Sequence, residues 1–140
     1  MKTRYLLDTN ILSESLKPKP DVNVVKLLLE NTAYIATAAP VIYEIIQGAK
    51  RLPESKKRRE ILRYLDDFVY PKVPILPYDK QAAALHGDLQ AELSLTGKTA
   101  PLIDGQIAAI AQLHGLILVT QNTRDFAHFS ALTVENWFLE

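Results

Sequence analysis

Short apolar runs that stop abruptly on a polar residue alternate along this chain with longer segments whose apolar residues recur every three to four positions. That alternation constrains the fold more than any other feature. Three or four apolar residues are too few for a helix and read as a buried strand, whereas the i, i+3, i+4 spacing lines one helical face. The expected strands are Tyr5–Leu7, Tyr34–Thr37, Val73–Leu76, Leu116–Val119 and Leu132–Val134. Between them the pattern predicts helices over Thr9–Leu16, Val22–Glu30, Pro40–Ala49, Glu54–Val69, from Asp79 to Gly97, and from Pro101 or Leu102 to Gly115. Strands alternating with helices predict an α/β class, a parallel sheet covered by helices on both faces.

The punctuation agrees with this division. Asp21 and Asp79 are placed as N-caps, and Gly97 and Gly115 as helix stops. Pro18 and Pro20 end the first helix, and the prolines around Ile75-Leu76 assign that strand to an edge. No internal repeat, low-complexity tract or linker divides the 140 residues, so one domain spanning 1–140 is expected.

Hydrophobic residues make up 48% of the chain, enough for a core without covalent staples. There is no cysteine, which excludes disulfides, thiolate zinc sites and a cysteine nucleophile. The opening residues, Met1 to Asp8, lack the apolar region of a signal peptide, and no apolar run approaches the roughly 18 residues of a membrane span. A cytoplasmic protein with no membrane partner is expected. Sixteen basic residues balance sixteen acidic ones, so a globally basic nucleic-acid binder is not indicated.

The acids carry the functional signal. In open α/β sheets, sites form beyond the carboxyl ends of the strands. Asp8 directly follows the first strand, and Asn122 and Asp125 follow Leu116–Val119. Glu44 lies one turn into the helix after the second strand, and Asp104 lies near the start of the helix leading into the fourth. Each has a structural alternative. Asp8 and Asn122 suit helix caps, with Asp125 as the partner in the first turn; Asp104 suits a helix dipole; a lone helical glutamate usually faces solvent. Taken together, four carboxylates at one end of a sheet repel one another and call for cations. With oxygen ligands and no thiols, those cations would be Mg²⁺ or Mn²⁺.

Four segments resemble the motifs of one family. Leu6-Leu7-Asp8-Thr9-Asn10 is similar to the opening strand motif of PIN-domain proteins. Glu44-Ile45-Ile46-Gln47-Gly48-Ala49 resembles the segment carrying the family's second acid, and Asp104-Gly105-Gln106-Ile107-Ala108-Ala109 the segment carrying the third. Leu118 to Phe126 resembles the closing motif, with the fourth acid at Asp125, and Trp137 follows near the end. Order and spacing agree over nearly the whole chain, and the greatest likeness is to the VapC-type toxins of prokaryotic toxin–antitoxin pairs. The segment Ala38-Ala39-Pro40-Val41 departs from the Ser or Thr common there among relatives, and Pro101 stands where many have a second glycine.

The resemblance implies a PIN-like three-layer α/β/α sandwich with a central, mostly parallel sheet. It implies a metal-dependent endoribonuclease that hydrolyses RNA phosphodiesters with metal-activated water, without a covalent nucleophile. Asp8, Glu44 and Asp104 would hold Mg²⁺, with Mn²⁺ as the alternative, and Asp125 would complete the site directly or through water. Asn10, Thr120 and Asn122 would position those carboxylates. The resemblance further implies a homodimer and a cognate antitoxin protein.

Arg124, beside Asp125, is a candidate contact for the RNA phosphate. Lys50, Arg51 and Lys56-Lys57-Arg58-Arg59 also suit phosphates, although a solvated helix start is the commoner use. Val22–Leu29 suits either core or an apolar partner surface. His86 is expected in the core, and none of His86, His114 and His128 has zinc-site spacing. Two other readings stand beside the nuclease. A non-catalytic PIN-like module that binds RNA or protein would have no use for four mutually repelling acids. A phosphotransferase or phosphatase using Asp8 as nucleophile usually has a second aspartate two residues on, where this chain has Asn10, and a lysine near the end of the strand Leu116–Val119, where it has none.

Overall fold

The computed structural model describes residues 2–139. Its five strands are β1 (Tyr5–Leu7), β2 (Ile35–Ala38), β3 (Ile75–Leu76), β4 (Ile117–Val119) and β5 (Val134–Glu135). They form one sheet in the order β3-β2-β1-β4-β5, and every pairing is parallel. The register places Leu6 opposite Ala36 on one side and Leu118 on the other. Leu6, Leu7, Ala36, Leu118 and Val119 are all fully buried, which explains the unbroken apolar runs: strands covered on both faces do not alternate.

The helices are α1 (Thr9–Leu12), α2 (Val22–Glu30), α3 (Ala39–Lys50), α4 (Lys56–Tyr64), α5 (Tyr70–Lys72), α6 (Lys80–Leu95) and α7 (Leu102–Leu113). Side-chain caps start three of the long ones. Asp21 accepts from the N–H groups of Asn23 and Val24, Ser55 from that of Arg58, and Asp79 from that of Ala82. Gly97 and Gly115 adopt φ of +74° and +65°. Each closes a helix with the paired main-chain bonds of a glycine stop: Lys98 N–H to Leu93 and Gly97 N–H to Ser94 after α6, and Leu116 N–H to Ala111 and Gly115 N–H to Gln112 after α7.

Three expectations need adjustment. The segment Thr9–Leu16 splits at Ser13, whose hydroxyl bonds back to the Thr9 carbonyl at 2.8 Å, and a 3-10 turn, Glu14–Leu16, follows. The segment Glu54–Val69 starts at Lys56 and widens at Leu65–Val69 into a π turn, where the Tyr70 N–H reaches back to the Leu65 carbonyl. Short α5 then carries Pro71, which has no N–H to give. The last strand is Val134–Glu135, two residues beyond the expected start.

The core joins the sheet to buried residues of α1, α2, α3, the π turn, α6 and α7. Helix α7 is enclosed on nearly all sides, with Ile107, Ala108, Ala109, Ile110 and Ala111 fully buried. Small side chains there let it lie close to both the sheet and α6. Trp137 is buried against Tyr5, edge to face at 5.2 Å, and its indole N–H donates to Glu135. Helix α2 divides its apolar residues: Val24 is core, while Val22 and Leu29 are 71% and 74% exposed. No helix among the described residues is long and apolar enough to cross a membrane.

Candidate active site

The chain leaves β1 toward β2 and β3 on one side and later returns to β4 and β5 on the other. Beyond the carboxyl ends of β1 and β4 the connections therefore diverge and leave a crevice. An open cleft of about 380 Å³ sits there, lined by Asp8, Thr9, Asn10, Ser13, Glu44, Asp104 and Asn122. Three carboxylates, one just after β1 and the others on α3 and α7, distant in sequence, thus face one space. A larger hollow of about 690 Å³ lies beside α6, with His128 and Phe129 in its wall. Its size does not make it the site, because it gathers no comparable set of carboxylates.

Asp8 is the most constrained of the acids. Its N–H bonds to the Val119 carbonyl at 3.0 Å, which extends the β1–β4 ladder by one step. Its side chain is buried, with Oδ1 accepting from the Thr9 N–H and Oδ2 from the Thr120 hydroxyl, both at 2.8 Å. Asp8 therefore is the N-cap of α1 as well as a wall of the cleft. Burial raises its pKa above the ordinary value; the bonds from Thr120, Thr9 and Asn10 oppose that, and the negative charge of Asp125 adds to it.

Thr120 is a hub. Its hydroxyl donates to Asp8, accepts from the Asn122 N–H at 3.0 Å, and lies 3.4 Å from the Asn10 side-chain amide. Asn10 in turn accepts from the Gln121 N–H at 2.9 Å, tying α1 to the loop after β4. Asn122 enters this network through its main chain. The side-chain cap expected of it is absent; Asn122 precedes the 3-10 turn Thr123–Phe126 without such a bond.

Glu44, half-buried in α3, accepts a 2.7 Å hydrogen bond from the Thr9 hydroxyl. Sequence reasoning missed Thr9. The residue is visible in the Asp8-Thr9-Asn10 triplet, but its partner 35 positions away is not. Asp104 stands in the first turn of α7, half-buried. Its pKa is pushed up to about 6, first by burial and then by the charges of Asp8, Asp125 and Glu44. Asp125 lies in the 3-10 turn, exposed, and is not part of the cleft wall. It acts at the rim, where its charge is felt by both Asp8 and Asp104.

No cationic side chain among the described residues pairs with this group. Among the described residues the ion pairs are Lys17–Glu14 and Arg59–Glu54, and neither includes the four acids. Nor are three of the acids drawn tightly enough together to form a ready-made cage for one ion. Threonine hydroxyls and the Thr9 N–H hold Asp8 and Glu44 instead. The donor set, carboxylate oxygens with threonine and asparagine behind them, fits a hard divalent cation, which would relieve the repulsion that raises Asp104.

The basic residues divide. Arg124 is exposed on the 3-10 turn beside Asp125 and belongs to neither of those ion pairs. Lys56 and Lys57 line a separate groove with Leu16 and Ile61, which meets the acid cleft only at Ser13. Arg58 donates to the Leu52 carbonyl. His114 and His128 are exposed and away from the cleft, whereas His86 is buried on α6.

The PIN domain family model matches residues 5–132 of the chain. A relative named "Ribonuclease VapC2", from Haemophilus influenzae, is 34% identical over 134 residues, covering 96% of this chain and 98% of its own. "Toxin FitB" from Neisseria gonorrhoeae is 31% identical over 138 residues, covering 94% and 97%. Among solved structures, DNA-bound VapBC from Salmonella typhimurium superposes with a TM-score of 0.81 at 29% identity, covering 96% of this chain and 98% of the other.

Proposed function

The chain belongs to the PIN-domain family, and on that premise we propose that it is a metal-dependent endoribonuclease, the toxin component of a toxin–antitoxin pair, acting as a single domain over 1–140. The observation that carries this is the cleft itself. Asp8, Glu44 and Asp104 face one space with Asp125 at the rim, and none is neutralised by a basic side chain among the described residues. Stability alone gives no reason to gather them.

The cation would be Mg²⁺, or Mn²⁺ in its place, held by Asp8, Glu44 and Asp104, with Asp125 contributing directly or through water. When bound, it supplies Lewis-acid stabilisation of phosphoryl charge and lowers the pKa of water. The protein's own groups do the rest. Thr120 and the Thr9 N–H fix both oxygens of Asp8, and Asn10 fixes Thr120. The Thr9 hydroxyl turns Glu44 toward the cleft. Arg124, exposed on the turn beside Asp125, would bind a phosphate oxygen of the RNA. The water oxygen would bond to phosphorus as the bond to the leaving ribose oxygen breaks, the proton that water gives up ending on that oxygen through solvent, and no side chain would form a covalent intermediate.

The same reading assigns a cognate antitoxin, a homodimer and a cytoplasmic setting. The relative named as a toxin supports the first. The exposed Val22 and Leu29 of α2 are consistent with a covered apolar surface. The test is cleavage of a panel of structured RNAs, transfer RNAs included, by the purified chain with Mg²⁺ or Mn²⁺, beside Asp8→Asn and Asp104→Asn. Metal-dependent cutting that both folded variants lose is the expected result. Absence of both cleavage and metal binding in the antitoxin-free protein would instead favour a non-catalytic binding module.

A further inference from the structure

The turn that carries Asp104 is not anchored like the starts of α2, α4 and α6. Pro101 occupies the cap position of α7 and offers no side-chain bond. The Gly105 N–H bonds to the Pro101 carbonyl at 3.0 Å, but the amides of Leu102, Ile103 and Asp104 belong to the first turn, which no helix can satisfy internally. Packing must therefore set where this turn sits.

That packing is closest at Gly105. A Cβ there would lie 2.4 Å from His86 Nε2, 2.9 Å from His86 Cδ2 and 2.7 Å from Gln90 Oε1. Helix α7 thus meets α6 through bare backbone, and the surface it rests on is the imidazole edge of His86 with the amide of Gln90 one turn further along. His86 is itself fixed. It is 4% exposed, its Nδ1 lies 2.8 Å from the Tyr78 hydroxyl, and the Tyr78 ring meets it edge to face.

Burial holds the imidazole below its ordinary pKa, so it is neutral near pH 7 and has one N–H. His86 Nε2 and Gln90 Oε1 are buried without partners, and both face Gly105. Tyr78 and His86 Nδ1 share one hydrogen bond whose direction follows the tautomer, and Nε2 and Gln90 Oε1 are both left against Gly105. An apolar residue of similar size would fill this space without two orphaned polar atoms.

We propose that His86, braced by Tyr78 and Gln90, is a positioning residue that sets the first turn of α7 and so holds the Asp104 carboxylate opposite Asp8 and Glu44. The proposal rests on the reading of Asp104 as a catalytic, cation-holding group. His86 touches neither cation nor RNA; it acts through the Gly105 backbone.

The experiment compares Gly105→Ala, His86→Ala, their double variant and His86→Gln in the full antitoxin-free chain. It reads kcat and KM for RNA cleavage, the Mn²⁺ binding midpoint by electron paramagnetic resonance, and backbone amide shifts of Leu102 to Gly105. Misplacing a reacting group by about an ångström costs on the order of a hundredfold, so Gly105→Ala should lower kcat by roughly 10- to 100-fold with KM little changed. Its Mn²⁺ midpoint should rise and the amide shifts of the turn should move. Removing the imidazole relieves the closer part of the collision and leaves only the flexible Gln90 amide to shift, so the double variant should recover a clear part of that loss, a non-additivity that independent sites do not show. His86→Gln should retain more activity than His86→Ala. Singles that keep kcat and the Mn²⁺ midpoint within about twofold, or a double variant whose loss is the product of the singles, would overturn the proposal. If Gly105→Ala does not fold, the His86→Ala and His86→Gln comparison decides alone. Asp104→Asn run alongside separates the two failures. If it cleaves normally, the carboxylate reading falls; if it is inactive while the His86 and Gly105 variants are unaffected, only the positioning role falls.

Discussion

Asp8 and Asp104 face the same cleft, yet the two regions that hold them are built on different principles. At the β1–β4 edge, Asp8 is fastened by hydrogen bonds: Thr9 and Thr120 take its two oxygens, and Asn10 fastens Thr120. At the start of α7, Asp104 sits on a turn with no side-chain cap, placed by the contact of Gly105 with α6. Its carboxyl is the one pushed up to about 6. One region resists repulsion through a polar network, while the other is left charged, strained by its neighbours and dependent on packing. A divalent cation should therefore act unequally on them, ordering the α7 turn more than the already ordered strand edge.

The sharpest break of the comparison is to remove each charge. Asp8→Asn and Asp104→Asn should each lower kcat for RNA cleavage by at least about a hundredfold, because each removes a charged group that no other residue replaces. Their stabilities should part. Asp104→Asn relieves repulsion and should stabilise the metal-free chain, whereas Asp8→Asn presents an amide where an N–H and a hydroxyl donate, and should destabilise it. Thermal unfolding in chelator reads both signs, and equal signs would erase the distinction drawn between the regions.

Thr120→Val comes next in size. It leaves the Oδ2 of a buried carboxylate without its hydroxyl donor and cuts the tie from Asn10 and Asn122, with an expected cost of about 1–3 kcal/mol. Activity should fall roughly 10- to 100-fold, as when an outer-shell partner of a metal ligand is lost. Thr120→Ser, which keeps the hydroxyl, should recover most of both. Urea unfolding together with cleavage kinetics checks the pair.

How legible this was in the sequence follows the same division. The alternation of apolar runs and helical stripes was sufficient for the parallel α/β sheet, because strands buried on both faces leave that pattern. Asp8 and Asp104 were conspicuous as acids bordering apolar segments. The main-chain role of Asn122, the Thr9–Glu44 bond and the contact of His86 with Gly105 were not legible. Each joins or redirects groups through tertiary geometry, and local pattern holds no record of which helix face meets which. The π turn at Leu65–Val69 escaped for a related reason: one extra residue in a turn changes hydrogen-bond register without changing composition.

The pH dependence of the metal-free protein sharpens the comparison further. Asp104 has an ordinary value of 3.8 and about 6 when folded, so the folded state holds its proton more tightly than the unfolded state. Its contribution is fully favourable below about pH 4 and is lost as pH rises through 6. Wild type should therefore gain on Asp104→Asn as pH falls from 7 to 5, by about 1 kcal/mol once solvent screening at a half-exposed cleft is allowed for. His86, with its pKa lowered by burial, works in the opposite sense, and taking the difference between wild type and Asp104→Asn cancels it. Added Mg²⁺ should flatten that difference. A difference curve that rises with pH would refute the assignment of Asp104 as the acid whose proton burial and its charged neighbours hold in the fold.

The smallest expected effect belongs to Thr9. Its N–H serves Asp8 and its hydroxyl serves Glu44, so Thr9→Val removes only the second tie. Glu44 is half-buried on a helix fixed by Val41, Ile45 and Ala49, and water at the open cleft can replace the lost donor. Stability should change by less than about 1 kcal/mol, the scale of one hydrogen bond that solvent can remake. The activity loss should be a few-fold and should shrink at high Mg²⁺, because a cation can orient the carboxylate the hydroxyl no longer holds. Kinetics across a Mg²⁺ titration decide it. A loss as large as that of Thr120→Val would mean that the α3 acid, like Asp8, depends on hydrogen bonds for its place, and the line between a networked and a packed region would have to be redrawn.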